Sequence, residues 1–143
     1  MSAKRFVDTN ILLYAKDASE KEKQPVAEAL IRELWETRSA CISVQVLNEY
    51  YVNVTQKQKP GLTRAEAWGD VEALQAWEQI PIRFPLLVRG YHVQARYHLS
   101  WWDSLIVAAA VEANCKEILS EDLSSEQVYE GIPVINPFAK RGK

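Results

Sequence analysis

Four carboxylate side chains in this sequence lie at strand ends or in helical patterns, positions from which they could bind a ligand. Two of them follow strands. Asp8 closes the apolar-cored run Arg5–Asp8 and is followed at once by a helical pattern, while Asp122 comes just after the strand-like run Glu117–Leu119. In open α/β sheets, ligands bind in the crevice beyond the carboxyl ends of the strands. Both aspartates are therefore predicted to lie at that edge, although helix capping and turn formation also favour aspartate at such positions.

The other two acids belong to helical patterns. Glu49 lies beside the inward stripe of an amphipathic helix, and Asp103 opens the most apolar helix, Ser104–Val111. The competing interpretations are a rim glutamate whose carboxylate reaches water and an aspartate that caps its helix. If the four acids converge, the pocket offers only oxygen ligands, which suit Mg²⁺ or Mn²⁺. Such ions polarise phosphoryl oxygens and activate water, so the constellation points to chemistry on phosphates.

Composition is typical of one compact domain spanning residues 1–143. The chain has 143 residues, of which 48% are hydrophobic, and a net charge of −2. This charge argues against a protein that binds nucleic acid by charge alone, but it leaves room for a basic rim around an acidic site. The candidates for that rim are Lys16, Lys21, Lys23, Lys57, Lys59, Arg64, Lys140, Arg141 and Lys143. For any single one of them, a solvated surface position is the simpler interpretation.

The chain is expected to be soluble and cytoplasmic, without membrane association. Its first residues carry no apolar signal-peptide region, and the longest apolar stretch, Leu105–Val111, is too short to cross a bilayer. Cys41 and Cys115 belong to no CxxC pair, so buried reduced thiols are predicted in place of zinc ligands. His92 and His98 have no third ligand nearby and are interpreted as ordinary histidines.

Strand-like runs alternate with helical patterns along the chain. The strands are predicted at Arg5–Asp8, Ala40–Val44, Ile80–Phe84, Glu117–Leu119 and Ile132–Ile135. Pro81 would confine the third strand to a sheet edge. The helices are predicted at Val26–Arg38, after a Ser43 cap, after a capping box of Thr63 and Glu66 and on through Trp77, at Pro85–His98 and at Trp102–Asn114. This alternation predicts an α/β protein, a three-layer α/β/α sandwich with a mostly parallel central sheet.

Taken together, these motifs resemble the PIN-domain proteins of the VapC-type toxin group. The matching stretches are Phe6–Leu12, Gln45–Tyr51, Trp102–Ala110, Ile118–Leu123 and Ile132–Phe138, in the order that the family shows. The resemblance implies a PIN-like fold and a Mg²⁺- or Mn²⁺-dependent endoribonuclease that cleaves single-stranded or loop RNA. It also implies an antitoxin protein partner and a homodimer formed through the third and fourth helices.

The resemblance also implies a set of site residues. The acidic metal site of the family, with its catalytic role, maps onto Asp8, Glu49, Asp103 and Asp122, and its supporting polar positions onto Thr9, Asn10, Ser120 and also Asn48. One departure concerns the number of metal ions. Family members often carry another acid shortly after the fourth, whereas here Leu123, Ser124 and Ser125 follow and Glu126 is the next acid. The choice between one ion and two therefore stays open.

Several other functions compete with the toxin. A haloacid-dehalogenase-like phosphatase needs a second acid two residues after the first, where this chain has Asn10. A receiver domain needs an adjacent acid pair after the first strand, which this chain lacks. A PIN-like domain that acts in RNA processing remains an alternative, as does an inert scaffold that binds protein or RNA, although four retained acids argue against the scaffold. The sequence does not identify the RNA, its cleavage sequence or the antitoxin.

The aromatic residues predict two further contacts. Trp101 is a candidate for stacking on an unpaired base, with burial in the core as the competing interpretation, and Trp102 is expected in the core. An apolar groove for an antitoxin segment is predicted from Leu34, Trp35, Tyr51, Trp68 and Trp77. Simple core packing is the competing interpretation for each of these five.

Overall fold

The computed structural model describes residues 3–124 and 127–139. Its helices are α1 (Thr9–Ala15), α2 (Lys23–Thr37), α3 (Val44–Val52), α4 (Arg64–Ala73), α5 (Phe84–Tyr97) and α6 (Trp101–Glu112). Its strands are β1 (Arg5–Val7), β2 (Ala40–Ser43), β3 (Glu78–Ile80), β4 (Glu117–Leu119), β5 (Val128–Tyr129) and β6 (Ile132–Ile135). A π-helical turn, Asn53–Lys57, continues α3, and a 3-10 turn, Leu74–Ala76, follows α4.

The strands form one sheet in the order β3-β2-β1-β4-β6-β5. All neighbours are parallel except β5, which runs antiparallel to β6. The chain moves outward from β1 through β2 to β3 and then returns to the other side of β1 as β4. Right-handed crossovers of this kind place helices on both faces of a sheet, so the predicted α/β sandwich with a mostly parallel sheet is confirmed. The order reverses between β1 and β4, which makes their carboxyl ends the switch point where such sheets bind ligands.

Helix α6 is the most deeply buried helix in the described part of the chain. All of its residues from Ser104 to Ala110 are buried, and it packs against β2, β4 and α5. The approach to α5 requires Gly90, because a Cβ atom there would lie 2.7 Å from Leu105 Cδ2. This packing fixes the first turn of α6, which carries Asp103.

The helix caps set the residues at which the helices that carry several functional side chains begin. Ser43 caps α3 as predicted, and its hydroxyl accepts the Val46 N–H. Thr63 and Glu66 form the predicted capping box of α4. Ser100, however, caps α6, and the interpretation of Asp103 as that cap is wrong. The Asp103 N–H donates to Ser100 Oγ at 3.1 Å, which leaves the Asp103 carboxylate available for another role.

The boundaries of two elements, β3 and α4, differ most from the sequence prediction, and most of the others differ by one to three residues. Strand β3 covers Glu78–Ile80, upstream of the predicted Ile80–Phe84, and it lies at the sheet edge as Pro81 required. The shift arises because Pro81 lacks an N–H and because α5 already begins at Phe84 with Pro85 in its first turn. Helix α4 ends at Ala73, so Trp77 follows the 3-10 turn and does not belong to the helix.

The remaining expectations concern thiols, histidines and membranes. Cys41 and Cys115 are free and buried, as predicted. His92 and His98 are exposed in α5 and at its carboxyl end. Within residues 3–124 and 127–139, no helix has both the length and the apolar character needed to span a bilayer.

Candidate functional site

Asp8 is the best-anchored carboxylate of the candidate site. It follows β1, caps α1 and is only 4% exposed. Its Oδ1 accepts the Thr9 N–H at 2.7 Å, while its Oδ2 accepts the Ser120 hydroxyl at 2.7 Å and the Asn10 amide at 3.4 Å. The local sequence thus produces a buried acid of fixed orientation at the switch point of the sheet.

Ser120 connects the ends of β1 and β4. Besides donating to Asp8, its Oγ accepts the N–H groups of Asp122 at 3.1 Å and Leu123 at 3.2 Å. Asn10 adds a second connection, since its Oδ1 accepts the Glu121 N–H at 3.1 Å. The two polar positions therefore shape the loop after β4 around the loop after β1.

Glu49 reaches the same region from α3. Its Oε1 accepts the Thr9 hydroxyl at 2.6 Å, and its Oε2 accepts the Gln45 side-chain amide at 3.3 Å. Gln45 is buried and also donates to the Trp102 carbonyl at 3.2 Å. Gln45 was not among the predicted site residues, although its position one helical turn before Glu49 predicts a contact between the two side chains.

Asp103 and Asp122 approach from α6 and from the loop after β4. Asp103 is half-buried; burial is the main cause that raises its pKa, and the negative charges of Asp122 and Glu49 raise it further. The Ser100 hydrogen bond opposes this increase. Asp122 is exposed and lines the cleft in front of Thr9.

The pKa of Asp8 reflects the charges of two of the other three acids. Burial is the largest cause that raises this pKa to about 7, and the charges of Asp122 and Glu49 raise it further, while hydrogen bonds from Ser120 and Thr9 lower it. None of the salt bridges among the described residues includes any of the four acids. The cluster is consequently a region of mutually repelling negative charge.

A cleft of about 700 Å³ is lined by two of the four acids, Glu49 and Asp122, while Asp8 and Asp103 are not among its lining residues. Its lining residues are Thr9, Asn10, Leu13, Gln45, Asn48, Glu49, Val52, Asn53, Lys57, Ile82, Trp102 and Asp122. The cleft exposes carboxylates, side-chain amides and one indole on a single surface, a combination suited to a polar ligand that also carries flat rings.

The four carboxylates have the donor chemistry of a hard divalent cation but are not drawn together around one point. In the described part of the chain, no group of three or more His, Cys, Asp or Glu side chains is close enough to hold a metal ion. Their ligand atoms are all oxygens, and a cation between them would relieve the repulsion that raises the pKa of Asp8 and Asp103. By ligand chemistry the residues therefore fit Mg²⁺ or Mn²⁺, and an ion held by all four would draw the exposed Asp122 side chain inward.

Of the predicted basic rim, one described lysine lines the cleft, namely Lys57. Lys16 pairs with Asp70 and Lys23 with Glu121. The predictions at Glu126, Lys140, Arg141 and Lys143 lie outside the described residues.

The assignment of the aromatic residues is corrected by the structure. Trp102 is the second residue of α6, points away from the sheet and is 60% exposed. Trp101, the first residue, packs against the core. The prediction that Leu34, Trp35, Tyr51, Trp68 and Trp77 line one apolar groove is also wrong. Leu34 and Trp77 are buried, Trp35 packs on Trp77, and the exposed Trp68 lies with Tyr51 in a separate cavity.

Solved structures with the same fold give the first comparison. A toxin–antitoxin complex from Klebsiella pneumoniae is similar with a TM-score of 0.71 and 19% identity, over 94% of this chain and 98% of that one. The FitAB complex bound to a DNA fragment gives 0.70 and 16%, over 96% and 98%. A toxin of Mycobacterium tuberculosis, VapC20, described as cleaving the sarcin–ricin loop, gives 0.60 and 16%, over 83% and 92%.

Family membership comes from the sequence itself. No curated protein matches the chain significantly. The model of the PIN domain family, however, matches residues 5–131, which include β1, all six helices, and the loop after β4. That range contains every acid of the cluster. The chain belongs to the PIN domain family.

Proposed function

We propose that this protein is a Mg²⁺- or Mn²⁺-dependent endoribonuclease that cleaves single-stranded or loop RNA and acts as the toxin of a toxin–antitoxin pair in the cytoplasm. One observation carries the proposal. Near the switch point of a PIN fold, burial and the charges of Glu49 and Asp122 raise the pKa values of both Asp8 and Asp103, and none of the four acids forms a salt bridge among the described residues. Natural proteins rarely retain such a repulsive cluster unless it binds a cation.

The four carboxylates would hold the ion, which when bound polarises the phosphoryl oxygen and activates water. The protein's own groups hold those carboxylates in place. Ser120 and Thr9 orient the two oxygens of Asp8. The Thr9 hydroxyl and the Gln45 amide fix both oxygens of Glu49, so that two acids from distant parts of the chain keep a constant relation.

The structural neighbours support the partner and substrate classes of the proposal. One of the similar structures is described as a toxin–antitoxin complex, and another as a toxin that cleaves the sarcin–ricin loop. We extend these descriptions to this chain as an antitoxin partner, an RNA loop substrate and a homodimer. A co-purified antitoxin and a dimeric mass by light scattering are the expected results, and a monomer at all concentrations would contradict the dimer.

Cleavage is the direct test of the activity. The purified protein should cut an RNA with exposed loops in Mg²⁺ or Mn²⁺ and stop when EDTA is added. Asp8→Asn and Asp103→Asn should each reduce the rate by more than about 100-fold, since even a partner of a metal ligand is worth about 10- to 100-fold. Glu72→Gln, the same acid-to-amide change at an exposed position of α4, should leave the rate unchanged. Undiminished cleavage by both aspartate variants would remove the proposed site, and RNA binding without cleavage would indicate a scaffold.

Metal binding can be tested without activity. Mn²⁺ at a hundredfold excess over its dissociation constant should stabilise the protein by about 2.7 kcal/mol. Asp103→Asn should be no less stable than the parent in EDTA, because it removes repulsion, and should lose most of the metal-induced gain. Thermal melts of both proteins with EDTA and with Mn²⁺ measure this, and identical curves in all four conditions would contradict a shared metal pocket.

A further inference from the structure

Trp102 presents a large indole to solvent beside the acids. Its 60% exposure is unusual for a tryptophan next to a buried helix, and the adjacent residue is Asp103. Its backbone position is fixed, because Gln45 donates both to the Trp102 carbonyl at 3.2 Å and to Glu49 Oε2 at 3.3 Å. The base of the indole is thereby tied to the carboxylate cluster by a bridging amide.

Lys57 lines the same cleft as Trp102. It is the last residue of the π-helical turn, which is closed by the Gln58 N–H donating to the Asn53 carbonyl at 2.9 Å. The Gln58 side chain also donates to the Lys16 carbonyl at 2.8 Å, which anchors the turn to α1. A π-turn inserts a residue into a helix and redirects the side chains after it.

Lys57 supplies a positive charge to the lining of the cleft. Among the described residues that line the cleft it is the one cation, and its charged neighbours there are Glu49 and Asp122. No carboxylate within residues 3–124 and 127–139 forms a salt bridge with it. An unneutralised cation beside an acidic cluster is suited to bind the phosphate of a ligand that runs through the cleft.

A single strand of RNA carries the two groups that the exposed Trp102 indole and Lys57 would bind, an unpaired base and a phosphate. An unpaired base stacks on an exposed aromatic ring, and a lysine neutralises a phosphate farther along the strand. In a duplex the bases stack on one another, so no face is available to the indole. The amides of Asn48 and Asn53, which line the same cleft, offer donors and acceptors to a base edge.

We propose that Trp102 stacks on an unpaired base of the RNA and that Lys57 holds a phosphate of the same strand, so that this pair selects single-stranded RNA for the cluster. The inference rests on the proposed function and goes beyond it by assigning the residues that choose the substrate. A protein segment that packs on the Trp102 indole is the competing ligand, and the binding experiment distinguishes it from RNA.

Binding is measured by fluorescence anisotropy in the cleavage-deficient Asp8→Asn protein, with a labelled single-stranded RNA and Mg²⁺. Adding Trp102→Ala should weaken binding by about 5- to 150-fold, the range expected for loss of one base stack. Trp102→Phe should restore most of the affinity. Trp68→Ala, which removes an equally exposed indole from the separate cavity, is the matched control and should change nothing. Lys57→Ala should lower the salt dependence of log K by about 0.7.

Two RNA controls test the stacking itself. Abasic substitutions scanned along the strand should weaken binding at one position in the parent but not in Trp102→Ala. Fully paired RNA should bind weakly and equally to both. Equal affinity of the parent and Trp102→Ala for single-stranded RNA would overturn the proposal, as would a Trp102 effect confined to a co-expressed protein partner. Because binding is scored without cleavage, a Trp102-dependent complex in a protein that never cuts RNA would support this inference while contradicting the nuclease.

Discussion

The two edges of the sheet use the same residue types in opposite ways. At the amino edge a cavity of about 510 Å³ is lined by Lys4, Trp35, Arg38, Trp77 and Glu78, among others. There Lys4 is paired, with its Nζ 2.8 Å from Glu78 Oε1, and the ring centroids of the two indoles lie 5.2 Å apart. At the carboxyl edge the charges of Glu49 and Asp122 act on Asp8 and Asp103, and the Trp102 indole is exposed.

The pKa shifts express the same difference. The hydrogen bond that Lys4 donates to Glu78 is the main cause that raises the pKa of Lys4 and keeps this lysine charged beside its partner. At the other edge, burial is the main cause that raises the pKa of Asp8 to about 7 and so disfavours its charged form. The amino edge is therefore arranged for stability, and the carboxyl edge holds unfavourable electrostatics that a ligand can relieve.

The largest predicted effect would sharpen this contrast at the amino edge. Trp77→Ala should lower the free energy of unfolding by about 3–5 kcal/mol, because it removes a nearly buried aromatic ring from the core. Its Nε1 has no hydrogen-bond partner among the described residues, so the loss is one of packing. Urea denaturation measures the change. Trp68→Ala should cost less than about 1 kcal/mol, and equal costs for the two would contradict the assignment.

The pH dependence of stability tests the carboxyl edge. The ordinary pKa of Asp8 is 3.8 and its folded-state pKa is about 7, so between these values the folded protein retains a proton that the unfolded chain releases. The free energy of unfolding in EDTA should therefore fall as pH rises from about 4 to about 7, by up to about 4 kcal/mol from this residue. Asp8→Asn should flatten that slope. An unchanged slope in the variant would show that Asp8 is not the titrating group.

The smallest effect is predicted for the ion pair at the amino edge. Glu78→Gln removes the partner of Lys4, but both side chains are more than two-fifths exposed, at 44% and 43%. Exposed pairs contribute about 0–1 kcal/mol, so thermal melts should shift little and RNA cleavage should not change. A loss of cleavage in Glu78→Gln would break the comparison, because it would couple the amino edge to the chemistry.

The sequence predicted the fold because its elements carry strong local signals. Four such signals each act within a few residues, and all are confirmed. They are the Asp8 that follows the first strand, the end of a strand at Leu119, the Ser43 cap, and the capping box of Thr63 and Glu66. Strand β5 was missed, since two residues, Val128 and Tyr129, give no readable period. Such a strand exists only because β6 offers it a partner.

The site was less predictable where it depends on side-chain direction. Adjacent tryptophans in a helix point about 100° apart, so Trp101 and Trp102 exchanged their predicted environments once Ser100 set the start of α6. Gln45 was overlooked because its role depends on a carbonyl 57 positions away in the chain. Relations of this kind arise only after the helices have docked on the sheet.

The hydrogen bond between Asp8 and Ser120 spans 112 positions of the sequence, and this has a consequence for synthesis. A chain emerging from the ribosome presents Asp8 long before Ser120. Pairing β1 with β4 closes a loop that contains β2, β3 and the helices α1 to α6, and contacts between such distant residues form late in folding. The acidic cluster is therefore completed only after β4 has emerged, and shortened chains that end before β4 lack both Asp122 and the Ser120 hydroxyl that holds Asp8.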